Sequence, residues 1–362
     1  MGQEDADNAL PLYKRIYEQL LEQISSGGLK AGDRVPSEKE ICDTYGVSRI
    51  TSKKALEMLA EHHLIARWRG KGSFVAGSPV QGNFRSIALL LSTFNDAFGA
   101  RLVGSVEEMC NALGYHLILR RTRESPAEEE KALRELDDEA VSGILMVPVR
   151  GEYYNAEILQ QIINKRPLVF VDRRMRGLPV PSVSTDNAAA AESAVKHLLD
   201  LGHRKIAFYS GPANHTSTVE DRRQGFVKAF ADSGIPLESA HVCSNLLSQD
   251  DVSIVTRHLS EHPAITAAFT VEYEIALRVK NAVMSLGQQI HRDFSIITFD
   301  YPGNGWESPA FTYMRQDEEA IGKQAVETLH RIIRKEAAAS GEILVPAELV
   351  CGDSVKELKS GI

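Results

Sequence analysis

Cysteine is scarce in this chain. Its four thiols, Cys42, Cys110, Cys243 and Cys351, lie far apart and form no CxxC pair. That excludes a zinc ribbon and a disulfide framework, and it fits a reducing cytosol. No apolar run approaches the roughly 20 residues needed to span a bilayer. The first residues carry Glu4, Asp5 and Asp7 in place of the apolar stretch of a signal peptide. The G-x-G-x-x-G, P-loop, G-x-S-x-G and H-E-x-x-H patterns are also missing, so no familiar enzyme motif is offered. An excess of positive charge is lacking too: the formal net charge is −8, which argues against nucleic-acid binding by the molecule as a whole. The expectation is a cytoplasmic, non-catalytic protein without cofactor or metal.

What is present divides into two regions. A length of 362 residues suggests two or three domains. Residues 1–10 read as a disordered leader. Leu12, Ile16, Leu20, Leu21 and Ile24 then fall at helical spacing, and Gly27-Gly28 stops that helix. Ser37 followed by Glu40 is a capping box, predicting a short helix to about Tyr45. Gly46 makes a turn, and Ser48 caps a longer helix with Ala55, Leu56 and Leu59 on its buried side. Ile65–Trp68 and Ser73–Ala76 read as strands around Arg69-Gly70-Lys71-Gly72. This order is that of a winged helix-turn-helix spanning residues 11–76. The turn-rich residues 77–84 form a linker.

From residue 85 to 362 the pattern changes. Apolar strands are predicted at Ile87–Ser92, His116–Arg120, Gly143–Pro148, Leu168–Asp172, Ile206–Ser210, Ala267–Thr270 and Ser295–Asp300. Amphipathic helices separate most of them. Short apolar strands joined by helices signal parallel sheets covered on both faces, and about 270 residues of this pattern point to two α/β lobes.

Between Arg49 and Lys71 the cations Arg49, Lys53, Lys54, Arg67, Arg69 and Lys71 face only Glu57 and Glu61. A basic run is often no more than a solvated face. Here it falls on the second helix and the wing, whose N-terminal residues Ser48, Arg49, Thr51 and Lys53 are donor-rich. In such motifs that end of the helix meets base edges and phosphates, so Arg49 is a candidate for guanine and Lys53 and Lys54 for phosphates. Lys39 on the preceding helix is expected to share the groove.

The stretches Leu12-Tyr13-Lys14, Gly32-Asp33-Arg34-Val35-Pro36-Ser37-Glu38, Gly46-Val47-Ser48-Arg49, Lys54-Ala55-Leu56 and Gly70-Lys71-Gly72-Ser73-Phe74-Val75 resemble the GntR family of bacterial repressors. The resemblance implies DNA contacts from Lys14, Pro36, Ser37, Glu38, Lys39, Ser48, Arg49, Thr51, Lys53 and Lys54, with a wing of Arg69, Gly70, Lys71 and Gly72. Ile50 departs from the family, which often has Thr or Arg there. Lys39 and Lys53 stand where Arg is common, and Lys lacks the bidentate fork.

The second region carries Gly143-Ile144-Leu145-Met146-Val147-Pro148, Val171-Asp172-Arg173, Val183-Ser184-Thr185-Asp186-Asn187, Leu201-Gly202-His203-Arg204-Lys205-Ile206-Ala207, Asp221-Arg222-Arg223-Gln224-Gly225-Phe226 and Ile297-Thr298-Phe299-Asp300. These resemble the effector-binding core of LacI/GalR repressors, itself similar to periplasmic sugar-binding proteins. The two resemblances together are those of the arabinose-operon repressors. They imply a cleft at the strand ends, where such sheets place ligands. Candidate effector contacts are Thr93, Asn95, Asp96, Phe98, Asp172, Arg173, Arg222 (opening a helix after Gly211), Glu272, Tyr273, Asp300, Trp306 and Gln316. Asp and Arg at strand ends often simply pair with each other, and a lone Trp more often packs than cradles a sugar. His197, His203, Asp186 and Asn187 read as capping and packing residues, and His62-His63 as a helix end.

The function implied is a homodimeric, DNA-binding transcriptional repressor of a carbohydrate-utilisation operon. Its affinity for a palindromic operator would be controlled by a small sugar between two lobes. The rivals are the same architecture sensing a nucleoside or purine, a binding protein unconnected to transcription, and an enzyme on a two-lobed α/β scaffold.

Overall fold

The computed structural model of the chain describes residues 11–25, 28–29, 32–61, 64–68, 72–75, 85–92, 98–138, 141–151, 155–211, 216–244, 246, 251–302, 310–336 and 341–358. The leader and the linker lie outside the described residues. Two units form, residues 1–84 and 85–362.

The first unit contains α1 (Leu12–Ser25), β1 (Arg34–Val35), α2 (Glu38–Tyr45), α3 (Arg49–Glu61), β2 (Ile65–Trp68) and β3 (Gly72–Val75). α2 starts where the Ser37 hydroxyl accepts the Glu40 N–H at 3.3 Å and the Glu40 carboxylate accepts the Ser37 N–H at 2.7 Å. This is the reciprocal cap its sequence predicts. α2 ends at Gly46, whose φ of 64° would strain any residue with a Cβ. Ser48 then caps α3, its hydroxyl accepting the Thr51 N–H at 3.3 Å. Ala55, Leu56 and Leu59 of α3 pack with Ile16 and Leu20 of α1, Ile41 of α2, and Val35, Ile65 and Val75 of the strands. The sheet order is β1–β3–β2, antiparallel throughout. β1 escapes sequence reading because two residues are too few to show a period; its pairing with β3 makes it a strand.

In the second unit the first lobe contains β4 (Arg85–Leu91), α4 (Ala100–Ala112), β5 (Tyr115–Arg121), α5 (Pro126–Asp138), β6 (Val141–Met146), α6 (Ala156–Ile163), β7 (Leu168–Val171) and β8 (Ser182–Thr185). The second lobe follows with α7 (Asn187–Asp200), β9 (Ile206–Tyr209), α8 (Ser217–Asp232), β10 (Val242–Cys243), α9 (Asp251–Glu261), β11 (Ala267–Thr270), α10 (Tyr273–Ser285), β12 (Ser295–Phe299) and β13 (Thr312–Arg315). The chain then returns to the first lobe through α11 (Glu318–Ile333) and β14 (Glu342–Val345), and crosses back for β15 (Glu348–Val350).

The two sheets correspond strand for strand. The first runs β14–β8–β7–β6–β4–β5 and the second β15–β13–β12–β11–β9–β10. Pairing is parallel except between β13 and β15, as expected for apolar strands covered on both faces. In the first lobe α4 and α11 cover one face, and α5 and α6 the other. The strands missed by sequence reading include β8, whose Ser-Val-Ser-Thr looks polar yet is wholly buried. Tertiary packing overrides propensity there.

Candidate functional site

The facing strand ends of the second unit line a cavity of about 270 Å3, near the lower limit of small-molecule pockets, which run from about 300 to 1,000 Å3. Asp172 follows β7 and Asp300 follows β12, so the two aspartates hold equivalent places in the two sheets. Each adopts a left-handed backbone, with φ of 62° and 56°. Aspartate tolerates that conformation better than most residues, though at some cost, and such strain concentrates at functional sites. Burial raises the pKa of both carboxyls. For Asp300 it prevails over the nearby Arg222 and the Gln316 hydrogen bonds and carries the value to about 7.

Gln316 sits in the strap leading from β13 to α11. Its amide nitrogen donates to both Asp300 oxygens at 3.1 and 3.0 Å, and its carbonyl accepts from the Thr185 hydroxyl at 2.6 Å. Thr185 ends β8, just before the chain first crosses between lobes. One side chain thus ties a carboxylate in the cleft to two of the interlobe straps.

Arg222 is 6% exposed. Its Nε donates to Asn187 Oδ1 at 2.7 Å and one terminal nitrogen to the Val271 carbonyl at 2.5 Å. The guanidinium lies over the Phe299 ring, 3.6 Å from its centroid. Burial lowers its pKa, while Asp300, Asp172 and Glu272 work against that shift. Guanidinium carries five N–H donors, so donors remain for the cavity after these two bonds. Asn187, read from sequence as structural, is what orients it. Sequence also placed Arg222 at a helix start; α8 instead begins at Ser217 with Thr216 as N-cap, and Arg222 lies in its second turn. The polar Ser-Thr-Val-Glu opening of α8 carries no apolar period to betray the true start.

Ion pairs bridge the lobes at the cleft. Arg150 of the first lobe reaches Glu272 of the second at 3.0 Å and Glu124 of its own at 3.4 Å. Arg173 reaches Glu124 at 3.0 Å and donates to the Pro148 carbonyl at 3.0 Å. Burial works to raise the Glu124 pKa, but Arg173 and Arg150 outweigh it and hold the carboxyl below its usual range. Arg174 grips Asp221 on α8 with two bonds, 2.5 and 3.0 Å.

Phe98, Asp172, Arg173, Arg222, Glu272, Tyr273, Asp300 and Gln316 all line this one cavity. Tyr273 also packs edge-on against Tyr301 and Phe311. Thr93, Asn95, Asp96 and Trp306 lie outside the described residues. Sequence reading missed Arg150, Thr216, Thr218 and Arg278 among the lining. Arg150 was findable, because it lies in the loop that leaves the end of β6. Arg278 was not: it lies inside α10 and is held at 3.2 Å from Asp251. Asp186 caps α7 by accepting the Ala189 N–H, and His203 is buried between Thr266 and the Lys356 carbonyl.

In the first unit, Lys14, Lys39, Ser48, Arg49, Lys53 and Lys54 are exposed, and Thr51 is half-buried. The side chains differ in what already holds them. Ser37 is consumed by its cap, and Glu38 accepts an ion pair from Arg67 of β2 at 2.6 Å. Ser48 and Thr51 bond each other at 2.9 Å. Lys54 lies over the Tyr13 ring at 4.1 Å, and Lys53 pairs with Glu57 at 3.6 Å. Pro36 leads into α2, and Gly72, φ 114°, opens β3. Arg69, Gly70 and Lys71 lie outside the described residues.

A two-lobed α/β body with paired carboxylates and a buried arginine at its strand ends is a small-molecule-binding module. A three-helix unit with a winged sheet is a DNA reader. Residues 12–75 match the model of bacterial regulatory proteins of the gntR family, and residues 195–355 match the periplasmic binding protein-like domain. Over 97% of its length the chain is 25% identical to the whole of the arabinose metabolism transcriptional repressor of Geobacillus stearothermophilus. Over 79% it is 26% identical to the HTH-type transcriptional repressor PurR of Mannheimia succiniciproducens, covering 86% of that protein. Among solved structures, transcription regulator CcpA of Lactococcus lactis superposes with a TM-score of 0.68 at 22% identity, over 75% of this chain and all of that one. The chain thus joins a gntR-type domain to a periplasmic-binding-protein-like domain, and its full-length relatives are transcriptional repressors. These relatives are transcriptional regulators, a non-enzymatic class. No helix among the described residues is long and apolar enough to cross a membrane.

Proposed function

We propose that this regulator represses a carbohydrate-utilisation operon and that a small sugar bound between the lobes controls its grip on the operator. The observation carrying this reading is the cleft itself. Asp172, Asp300, Arg222 and Gln316 present planar acceptors and donors of the kind vicinal hydroxyls require, with Phe98 and Tyr273 to cover C–H faces. Arg173 and Glu272 complete the candidate contacts among the described residues, and Thr93, Asn95, Asp96 and Trp306 remain candidates from sequence. The full-length relative named for arabinose metabolism supports a pentose as the first sugar to try.

A reading head of residues 11–76, a linker at 77–84 and a sensing core of 85–362 would work as a homodimer on palindromic DNA in the cytoplasm, since two-fold proteins read two-fold sites. Lys39, Arg49 and Lys53 would contact the operator, with Lys14, Lys54 and the wing on phosphates. Closure of the lobes would change the spacing of the two heads.

Gel shifts of an operator fragment against a panel of monosaccharides test the proposal. A sugar that changes operator affinity supports it; a panel without effect refutes the sugar. The similarity to PurR gives a second reading, a purine or nucleoside held by the same cleft. Thermal-shift screening of sugars against nucleobases separates the two. Arg49→Ala is expected to abolish operator binding while leaving effector affinity intact.

A further inference from the structure

The exposed face of α3 carries one apolar side chain among charges. Ile50 is 80% exposed, the most exposed large hydrophobic among the described residues. It sits in the first turn, beside Arg49, and Lys53 and Lys54 follow it at the i+3 and i+4 positions of the same face. The opposite face buries Ser52, Ala55, Leu56 and Leu59, so Ile50 takes no part in the fold. A solitary exposed isoleucine on a surface needs no explanation. This one stands on the helix that a gntR-type head presents to DNA, flanked by the residues that would read it. Isoleucine is also a poorer helix former than most exposed alternatives, so local helix stability does not account for it.

In the major groove the only apolar feature of a base edge is the thymine 5-methyl. The β-branched side chain is held to few rotamers in a helix, so little freedom is lost when it docks. We propose that Ile50 packs against a thymine methyl group in each operator half-site, and so sets a base preference that the neighbouring Arg49 and Lys53 do not. The inference rests on α3 being the helix that enters the groove.

The experiment uses the full-length protein and a duplex selected by it from a randomised pool. Each thymine in turn is replaced by deoxyuridine, which pairs identically and lacks only the methyl, and binding is followed by fluorescence anisotropy. One symmetry-related pair of thymines is expected to matter, each replacement weakening wild-type binding about fourfold, the factor for one buried methyl-sized group. Ile50→Ala is expected to bind thymine and deoxyuridine duplexes alike. Ile50→Val, which keeps the branched carbon, is expected to retain most of the discrimination. Both changes fall at an exposed site and leave the helix core untouched. Equal wild-type binding to every deoxyuridine duplex would overturn the proposal, as would a methyl preference that survives Ile50→Ala. Arg49→Ala binding the selected duplex as tightly as wild type would instead remove α3 from the groove, and the proposal with it.

Discussion

Replacing Arg222 by Met removes the charge at the floor of the cleft while keeping most of the side chain's length over the Phe299 ring. Two hydrogen bonds disappear, to Asn187 Oδ1 and the Val271 carbonyl. Leaving buried acceptors unpaired costs about 1–3 kcal/mol each. Against that, a cation 6% exposed no longer has to be kept out of water. Asp300 and Asp172 also lose the positive charge that opposes the cost of their burial, so the net change is a destabilisation of about 3–5 kcal/mol and a fall of roughly 10 °C in the thermal midpoint. Effector binding has no such compensation. Each hydrogen bond from a charged donor to a ligand hydroxyl contributes about 1.5–3 kcal/mol, so losing one weakens the effector roughly 10- to 150-fold. The head retains its own core, so operator affinity without effector should match wild type. Anisotropy of a labelled operator, titrated with the sugar that acts on wild type, reads both quantities in one experiment. An Arg222→Met variant that responded at the wild-type sugar concentration would refute the assignment of Arg222 to the ligand.

Other expectations follow from the same geometry. The Asp300 carboxyl is raised from about 4 unfolded to about 7 folded, so between those values the folded state binds the extra proton. Stability should therefore fall as pH rises from about 4 to 7 and level off above, and Asp300→Asn should remove that component from a series of denaturant melts. Gly225→Ala should destabilise the core by at least about 1–3 kcal/mol, because a Cβ there would meet the Ala188 carbonyl oxygen at 2.1 Å. By parting α7 from α8 it should also weaken effector binding through the Asn187–Arg222 bond, and an unchanged thermal midpoint would contradict this. Arg150→Ala removes the interlobe pair with Glu272. The lobes should then separate more readily in the absence of effector, seen as a larger radius of gyration by solution scattering.

The winged head was the more legible half because its signals are local. Ser37 with Glu40, Gly46 and Ser48 are caps that work within four residues, and each falls where the structure has a helix end. The core's apolar strands were legible for the same reason, while β8, with its polar but buried Ser182 and Thr185, was not. The expectation that cavity-lining groups follow strand ends placed Asp172, Asp300 and Glu272. It missed Arg278, which reaches the cavity from within α10.

Sequence by itself determined the parts, since capping, periodicity and the run of cations around α3 need only neighbours along the chain. Tertiary structure decided what those parts do together. It alone showed two sheets matching strand for strand, and two aspartates from different lobes brought to equivalent places across one cavity. It also showed Asn187 orienting Arg222, and Gln316 fastening Asp300 to the interlobe straps. Such contacts join residues far apart in the chain, and burial gives them their energy and their shifted pKa values. Neither effect leaves a trace in local composition.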